Sequence, residues 1–273
     1  MSAEDRLKEG KPEEALQELQ DKIRKDPSNP KHRVFLFQLL SVLGDWERAM
    51  TQLNVLADLD DSALMMVQTY RVALNCEALR REIYAGKHSP LIFGEPEEWL
   101  AKLVEALRVG AEGHGKQAQQ LREAALESAP ATAGTVNGAA FEWIADADSR
   151  MGPVLEAVVE GKLFWVPFHR IQKIEIEEPV DLRDLVWLPA RFVWANGGQA
   201  VGLIPTRYPG SETSDDGLIR MGRKTEWDEV SENCFEGRGQ RMFATDGGDY
   251  ALLDLREVLL QTASDAAAGA PDG

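Results

Sequence analysis

At 273 residues the chain has room for one large or two ordinary domains, and an apolar content of 44% is ample for a core. Its 30 basic and 46 acidic residues leave a net charge of −16, which disfavours nucleic acid and anionic lipid as partners, since both need clustered Lys and Arg, and suits a soluble protein or one that meets a basic partner. Cys76 and Cys234 are far apart and share no metal or redox spacing, so a disulfide framework is not expected and a reducing compartment is. Met1–Lys11 is too polar to resemble a signal peptide, and no apolar run approaches the ~18 residues of a membrane span.

Ser2–Glu9 suffices for one short helix. Gly10–Pro27 then recurs 34 residues later as Gly44–Asp61, with Gly10 falling on Gly44, Ala15 on Ala49, Leu19 on Leu53 and Asp26 on Asp60. That spacing is the period of tetratricopeptide repeats, which stack helix pairs into a solenoid. The glycine permits the left-handed cap that ends a helix, Pro12 suits an early position of the next, and the alanine lets paired helices approach closely. The pattern predicts helices over Pro12–Lys25, Lys31–Leu43, Trp46–Leu59 and, capped by Ser62, onward to Tyr84. Ala85–Glu95 reads as an insertion with turn signals. A further helix opens at Pro96-Glu97-Glu98 and runs through Val109, and Gly113–Pro130 is a degenerate copy of the repeat. Residues 1–130 are therefore expected to form a tetratricopeptide-like helical domain. Such stacks offer a concave groove to a helix or an extended peptide. Repeat position assigns Lys31, Val34, Gln38 and Ser41 on one helix, and Met65, Gln68, Val72 and Asn75 on the next, to that groove.

The remainder, 131–261, reads as a mixed α+β domain, because strands and helices follow one another without regular βαβ alternation. Ala131–Gly138 is small and turn-rich and marks the boundary. Strands are expected at Phe141–Asp146, Leu163–Val166, Ile171–Ile176, Arg191–Trp194, Gln199–Ile204, Lys224–Val230 and within Arg241–Leu253. A short helix is expected at Pro153–Glu160, ended by Gly161, and a helical turn at Asp181–Leu185. Leu255–Leu260 fits strand or helix, and Thr262–Gly273 has the composition of a disordered tail. Five tryptophans, Trp143, Trp165, Trp187, Trp194 and Trp227, fall in this half and are read as core and inter-domain packing. Its charge is −11, from 24 acidic and 13 basic residues over 131–273.

No catalytic constellation emerges. Gly217–Thr225 approaches a phosphate loop, but Arg223 displaces Lys224 and Thr225 by one residue, and the following segment reads as strand, leaving no helix N-terminus for a phosphate. His32, His88, His114 and His169 have no metal-ligand spacing with one another or with cysteine. No metal or cofactor is expected. One enzymatic alternative stands: Arg207, Tyr208, Asp215, Arg220 and Arg223 gather enough cationic and acidic chemistry to hold a small anionic substrate. They are equally consistent with an internal ion-pair network.

The stretch GLIPTRYPGSETSDDGLIRMGRKTEW (202–227), with Gly239-Gln240-Arg241-Met242 and Leu252-Leu253-Asp254-Leu255-Arg256, resembles the ImpE family, also called TagJ or SciE. Tyr208–Ser211 and Thr225–Trp227 are its most specific parts, and the order of helical repeats before a compact mixed domain agrees. The resemblance implies a cytoplasmic accessory protein of bacterial type VI secretion, a non-catalytic adaptor. It implies binding to an N-terminal helix of the small sheath subunit TssB and a link to ClpV, the AAA+ unfoldase that disassembles the contracted sheath. It brings no catalytic residues.

Overall fold

The structure, a computed structural model, describes residues 2–231 and 234–262. The chain begins with a layer of seven helices: α1 (Ala3–Lys8), α2 (Pro12–Lys25), α3 (Pro30–Val42), α4 (Trp46–Leu59), α5 (Leu64–Tyr84), α6 (Glu98–Ala111) and α7 (Gly115–Ser128). The repeat glycines do the work their spacing implies. Gly10, Gly44 and Gly113 have φ of +78°, +72° and +88°. Each closes its helix in the same way: its N–H donates three residues back, and the next N–H donates five residues back. Ala15 and Ala49 are fully buried, as are Leu19 and Leu53 one turn on. Asp60, rather than Ser62, caps the entry to α5, its side chain accepting from Ser62 N–H through a single 3-10 turn at Asp61–Ala63.

A nine-stranded sheet follows, built from β1 (Leu91–Ile92), β2 (Gly134–Val136), β3 (Ala139–Phe141), β5 (Val154–Val159), β6 (Lys162–Pro167), β7 (Ile171–Ile176), β8 (Trp187–Trp194), β9 (Gln199–Pro205) and β14 (Glu257–Leu260), in the order β1-β6-β5-β9-β8-β7-β14-β2-β3. A three-stranded sheet joins β4 (Ile144–Asp146) to β12 (Met242–Thr245) and β13 (Gly248–Ala251), and β10 (Thr225–Ser231) pairs with β11 (Cys234–Gly239) as a separate hairpin. A single helical turn, α8 (Gly217–Arg220), precedes that hairpin. The fold is thus helical repeats followed by a mixed α+β domain.

Several local expectations change. Val154–Val159 is strand, not helix: its residues are buried on both faces, and such a continuous apolar run has no period to separate the two states. Glu160 and Gly161, with φ of +49° and +79°, turn it tightly into β6. The boundary stretch Ala131–Gly138 contains β2, and the segment 141–146 divides between β3 and β4, while Asp181–Leu185 is a hydrogen-bonded turn as expected. The inserted loop after α5 supplies β1, which runs parallel to β6 and carries the sheet's edge to the helical layer. Leu255–Leu260 resolves as strand β14, and the tail lies beyond residue 262, outside the described residues.

The two halves share a core. Leu36, Phe37, Leu40, Tyr70 and Leu74 of the helices pack in one cluster with Val154, Val158, Trp165, Trp187 and Met221 of the second half. A second cluster, including Phe168, Ile174, Phe192, Phe243 and Val258, is built from buried residues of the second half.

Candidate functional site

The groove positions on α3 and α5 differ in exposure. Lys31, Met65, Gln68 and Asn75 are exposed, Met65 at 81%, and Leu59 and Leu64, near Met65 in sequence, are 44% and 40% exposed. Val34 and Val72 are half-buried and pack on the core. Gln38 and Ser41 are buried, at 7% and 0% exposure, and cannot meet a partner in this conformation. Ser41 donates its hydroxyl back to Phe37 C=O, 2.9 Å away, and its own C=O accepts from Arg207. The two residues are corrected from groove-lining to interior because the second half of the chain fills that end of the concave face. Trp187 enters between Trp46 and Tyr70, with ring centroids 6.0 Å and 5.7 Å away, and its indole N–H donates to Glu77 at 3.1 Å. The Arg183 guanidinium lies 4.9 Å over the Tyr70 ring.

The segment 207–223 is a strap across the repeat turns. Arg207 donates to Val42 C=O at 2.7 Å and to Ser41 C=O at 3.1 Å, carbonyls in the last turn of α3, the second of which also accepts from Gly44 N–H. Arg223 donates to Leu7 C=O at 3.0 Å, at the end of α1. Leu7 and Ser41 are 34 residues apart, so the strap caps equivalent positions of successive repeats. A cation there also faces the negative end of each helix dipole. Glu212 lies against Gly44, where a Cβ would come within 2.4 Å of its side chain, and Gly217 lies against Gly10, where its own added Cβ would come 2.0 Å from Gly10 O. Arg220 pairs with Glu13. Arg207, Arg220 and Arg223 therefore spend their donors on this chain's helices, while Tyr208 is buried and Asp215 is exposed. The five residues weighed for an anionic substrate do not converge on one cavity, and the internal-network reading describes their placement.

Behind the strap is a buried charge network that the sequence reading missed. Glu156 Oε2 accepts from Arg80 at 2.8 Å and from Arg241 at 2.5 Å; Arg241 also pairs with Asp146. Arg80 donates to Arg207 C=O at 2.8 Å, and Tyr208 OH to Asp146 at 3.1 Å. Arg80 comes from α5 and the others from the second half, so the network crosses the boundary between them. Burial opposes the charge on Glu156, yet the two guanidiniums hold its carboxyl below the usual glutamate value. Burial pushes Glu77 up and draws Arg207 down to about 10. The one available signal was a lone charge, Glu156, inside the apolar run VLEAVV.

Comparison with known proteins completes the description. The family described as "ImpE protein" matches residues 138–259, and a tetratricopeptide repeat matches residues 6–65. The type VI secretion system accessory component TagJ of Pseudomonas aeruginosa is 51% identical over 258 residues, spanning 94% of this chain and 90% of that protein. The crystal structure of protein VPA1032 from Vibrio parahaemolyticus shares the fold, with a TM-score of 0.86 at 24% identity, over 95% of this chain and 97% of that one.

Proposed function

Because the chain belongs to the TagJ (ImpE) family of type VI secretion accessory components, we propose that it is a non-catalytic cytoplasmic adaptor that binds an N-terminal helix of the small sheath subunit TssB and links it to the ClpV unfoldase for sheath disassembly. The observation that carries this reading is the open end of the repeat groove. There the second half of the chain leaves Met65 81% exposed. Lys31 and Gln68 supply polar contacts on the same two helices, and Val34 a half-buried apolar floor. An amphipathic helix needs this combination, its i, i+3, i+4 and i+7 anchors meeting apolar surface and its flanks meeting polar groups. The flexible thioether of Met65 adapts to the shape of such a partner. Filling of the covered end fixes the two helices relative to each other, so the open end is pre-organised and binding costs less ordering. No helix among the described residues is long and apolar enough to cross a membrane.

The experiment is co-purification from mixtures of purified components. Immobilised adaptor is expected to retain the sheath subunit, and to retain the unfoldase in its presence. A sheath subunit lacking its N-terminal helix should pass through. Retention of neither protein would overturn the adaptor reading.

A further inference from the structure

The hairpin β10–β11 has two outer edges in opposite states. Thr225 lies opposite Gly239, Trp227 opposite Gly237 and Glu229 opposite Phe235. Gln240 N–H donates to Lys224 C=O across the same register, so that pair is hydrogen-bonded. Antiparallel alternation then turns the main-chain groups of Thr225, Trp227 and Glu229 on one strand, and of Phe235, Gly237 and Gly239 on the other, away from the hairpin. On β11 those groups are taken. Phe235 N–H donates to Ser149 Oγ and its C=O accepts from Ser149 N–H, both at 2.9 Å. Gly237 N–H donates to Asp148 at 2.9 Å, Gly239 N–H to Ser211 Oγ at 2.8 Å, and Gly239 C=O accepts from Tyr208 N–H at 2.9 Å. On β10 the outward N–H and C=O groups have no partner among the described residues.

The open edge has a chemical character. Glu226, Trp227, Asp228, Glu229 and Val230 are all exposed, so β10 presents three carboxylates and no cation, with Trp227 at 40% and Val230 at 53% exposure. Lys224 pairs with Glu226 at 2.6 Å and Arg238 with Asp228 at 2.5 Å, while Glu229 has no ion pair among the described residues. Charges on an edge strand block indiscriminate pairing, but carboxylates block acidic and neutral strands while favouring basic ones. A two-stranded hairpin is also marginal by itself and gains from a third strand.

We infer that β10 is a docking edge for an extended basic segment of a partner protein, which adds as a third strand. Its Lys or Arg side chains lie opposite Glu226, Asp228 and Glu229, and an apolar side chain lies opposite Trp227. Main-chain hydrogen bonds to Thr225, Trp227 and Glu229 supply affinity, and the carboxylates supply specificity. The surface is separate from the repeat groove and takes a strand rather than a helix. A second copy of this chain is the wrong occupant, because its β10 would set like charges opposite one another.

The probe is a fluorescent ten-residue Lys-rich peptide with a single central Val, so that Lys can lie opposite Glu226, Asp228 and Glu229 and Val opposite Trp227, titrated into the full chain at moderate salt and read by anisotropy. A control peptide has the same sequence and charge but is N-methylated at alternate residues, which removes the donors along one edge. Glu229→Pro removes an outward N–H while leaving the bonds to β11. Wild type should bind the unmodified peptide, and both the methylated peptide and Glu229→Pro should weaken binding at least tenfold. Equal binding of the two peptides to wild type would mean charge adsorption alone and overturn the inference, whatever the variant does. Absence of binding to wild type would overturn it as well. So would a dimer seen by sedimentation in wild type and lost in Glu229→Pro, which would give the edge to a second copy.

Discussion

Helices α3 and α5 have the same repeat geometry, yet α3 exposes Lys31 at one end and buries Gln38 and Ser41 at the other, while α5 exposes Asn75 at the position equivalent to Ser41. Lys31 and Met65 mark the open end; Ser41, on the same face of α3 as Lys31 by repeat position, is fully buried under Arg207. The difference comes from segments more than a hundred residues away: the strap at 207–223, and Trp187 between Trp46 and Tyr70. Helical period decides which face a residue occupies, and the second half of the chain decides whether that face is available. A groove inferred from periodicity is therefore an upper limit on the surface a partner can use.

The strongest test of the covered end is to remove its charge network. Arg241→Ala leaves Glu156 and Asp146 buried without their shared cation, and should cost ~3–5 kcal/mol in denaturant unfolding. Arg238→Ala, three residues away but exposed, should stay within ~0.5 kcal/mol. Within the network the two carboxyls respond to acid in opposite senses: burial raises Asp146 to about 6, so its protonation favours the folded state, whereas Glu156 acts the other way. The Glu156 carboxyl is held below its ordinary value in the folded state, so its contribution is present above the unfolded value and lost as pH falls through the lower folded one. Thermal scans carried down past the ordinary glutamate range should show a loss of stability there that Glu156→Gln flattens.

Intermediate effects belong to the strap and the repeat seam. Arg207→Met removes the donor to the carbonyls of Ser41 and Val42 and should cost ~1–3 kcal/mol. Amide exchange should then quicken in the last turn of α3 while the α6–α7 pair is unaffected. Ala49→Leu overpacks a fully buried helix crossing and should cost ~1–3 kcal/mol; an unchanged melting temperature would contradict the assigned seam. At the open end the stability effect should be smallest. Met65→Asp changes an exposed side chain and should shift unfolding by no more than ~0.5 kcal/mol.

How much of this was legible in the chain depended on the range of the interactions. The repeat layer was readable because its signals are local: Gly10, Gly44 and Gly113 need left-handed backbone, and Ala15 and Ala49 need a close crossing. Val154–Val159 was not, because burial on both faces erases the alternation that marks a strand. The candidate site was legible only in outline. Position in the repeat picked out Met65, Gln68 and Lys31, which are exposed, but nothing within α3 says that Gln38 and Ser41 lie beneath a segment from the other half. The arginines at 207, 220 and 223 were visible as a cluster. Their role was not, since a guanidinium that caps a carbonyl and one that holds a substrate look alike in sequence.

The central claim is that the open end of the repeat groove, and not its covered end or the second half of the chain, receives the partner helix. Isothermal titration of the sheath subunit's N-terminal peptide into the double variant Lys31→Glu plus Met65→Asp tests it most directly, with Arg191→Glu on the exposed face of β8 as a control. The account predicts a loss of more than ~1.4 kcal/mol, over tenfold in affinity, for the double variant with unchanged melting temperature, and none for the control. Undiminished affinity in the well-folded double variant would contradict it and move the binding surface off the repeats.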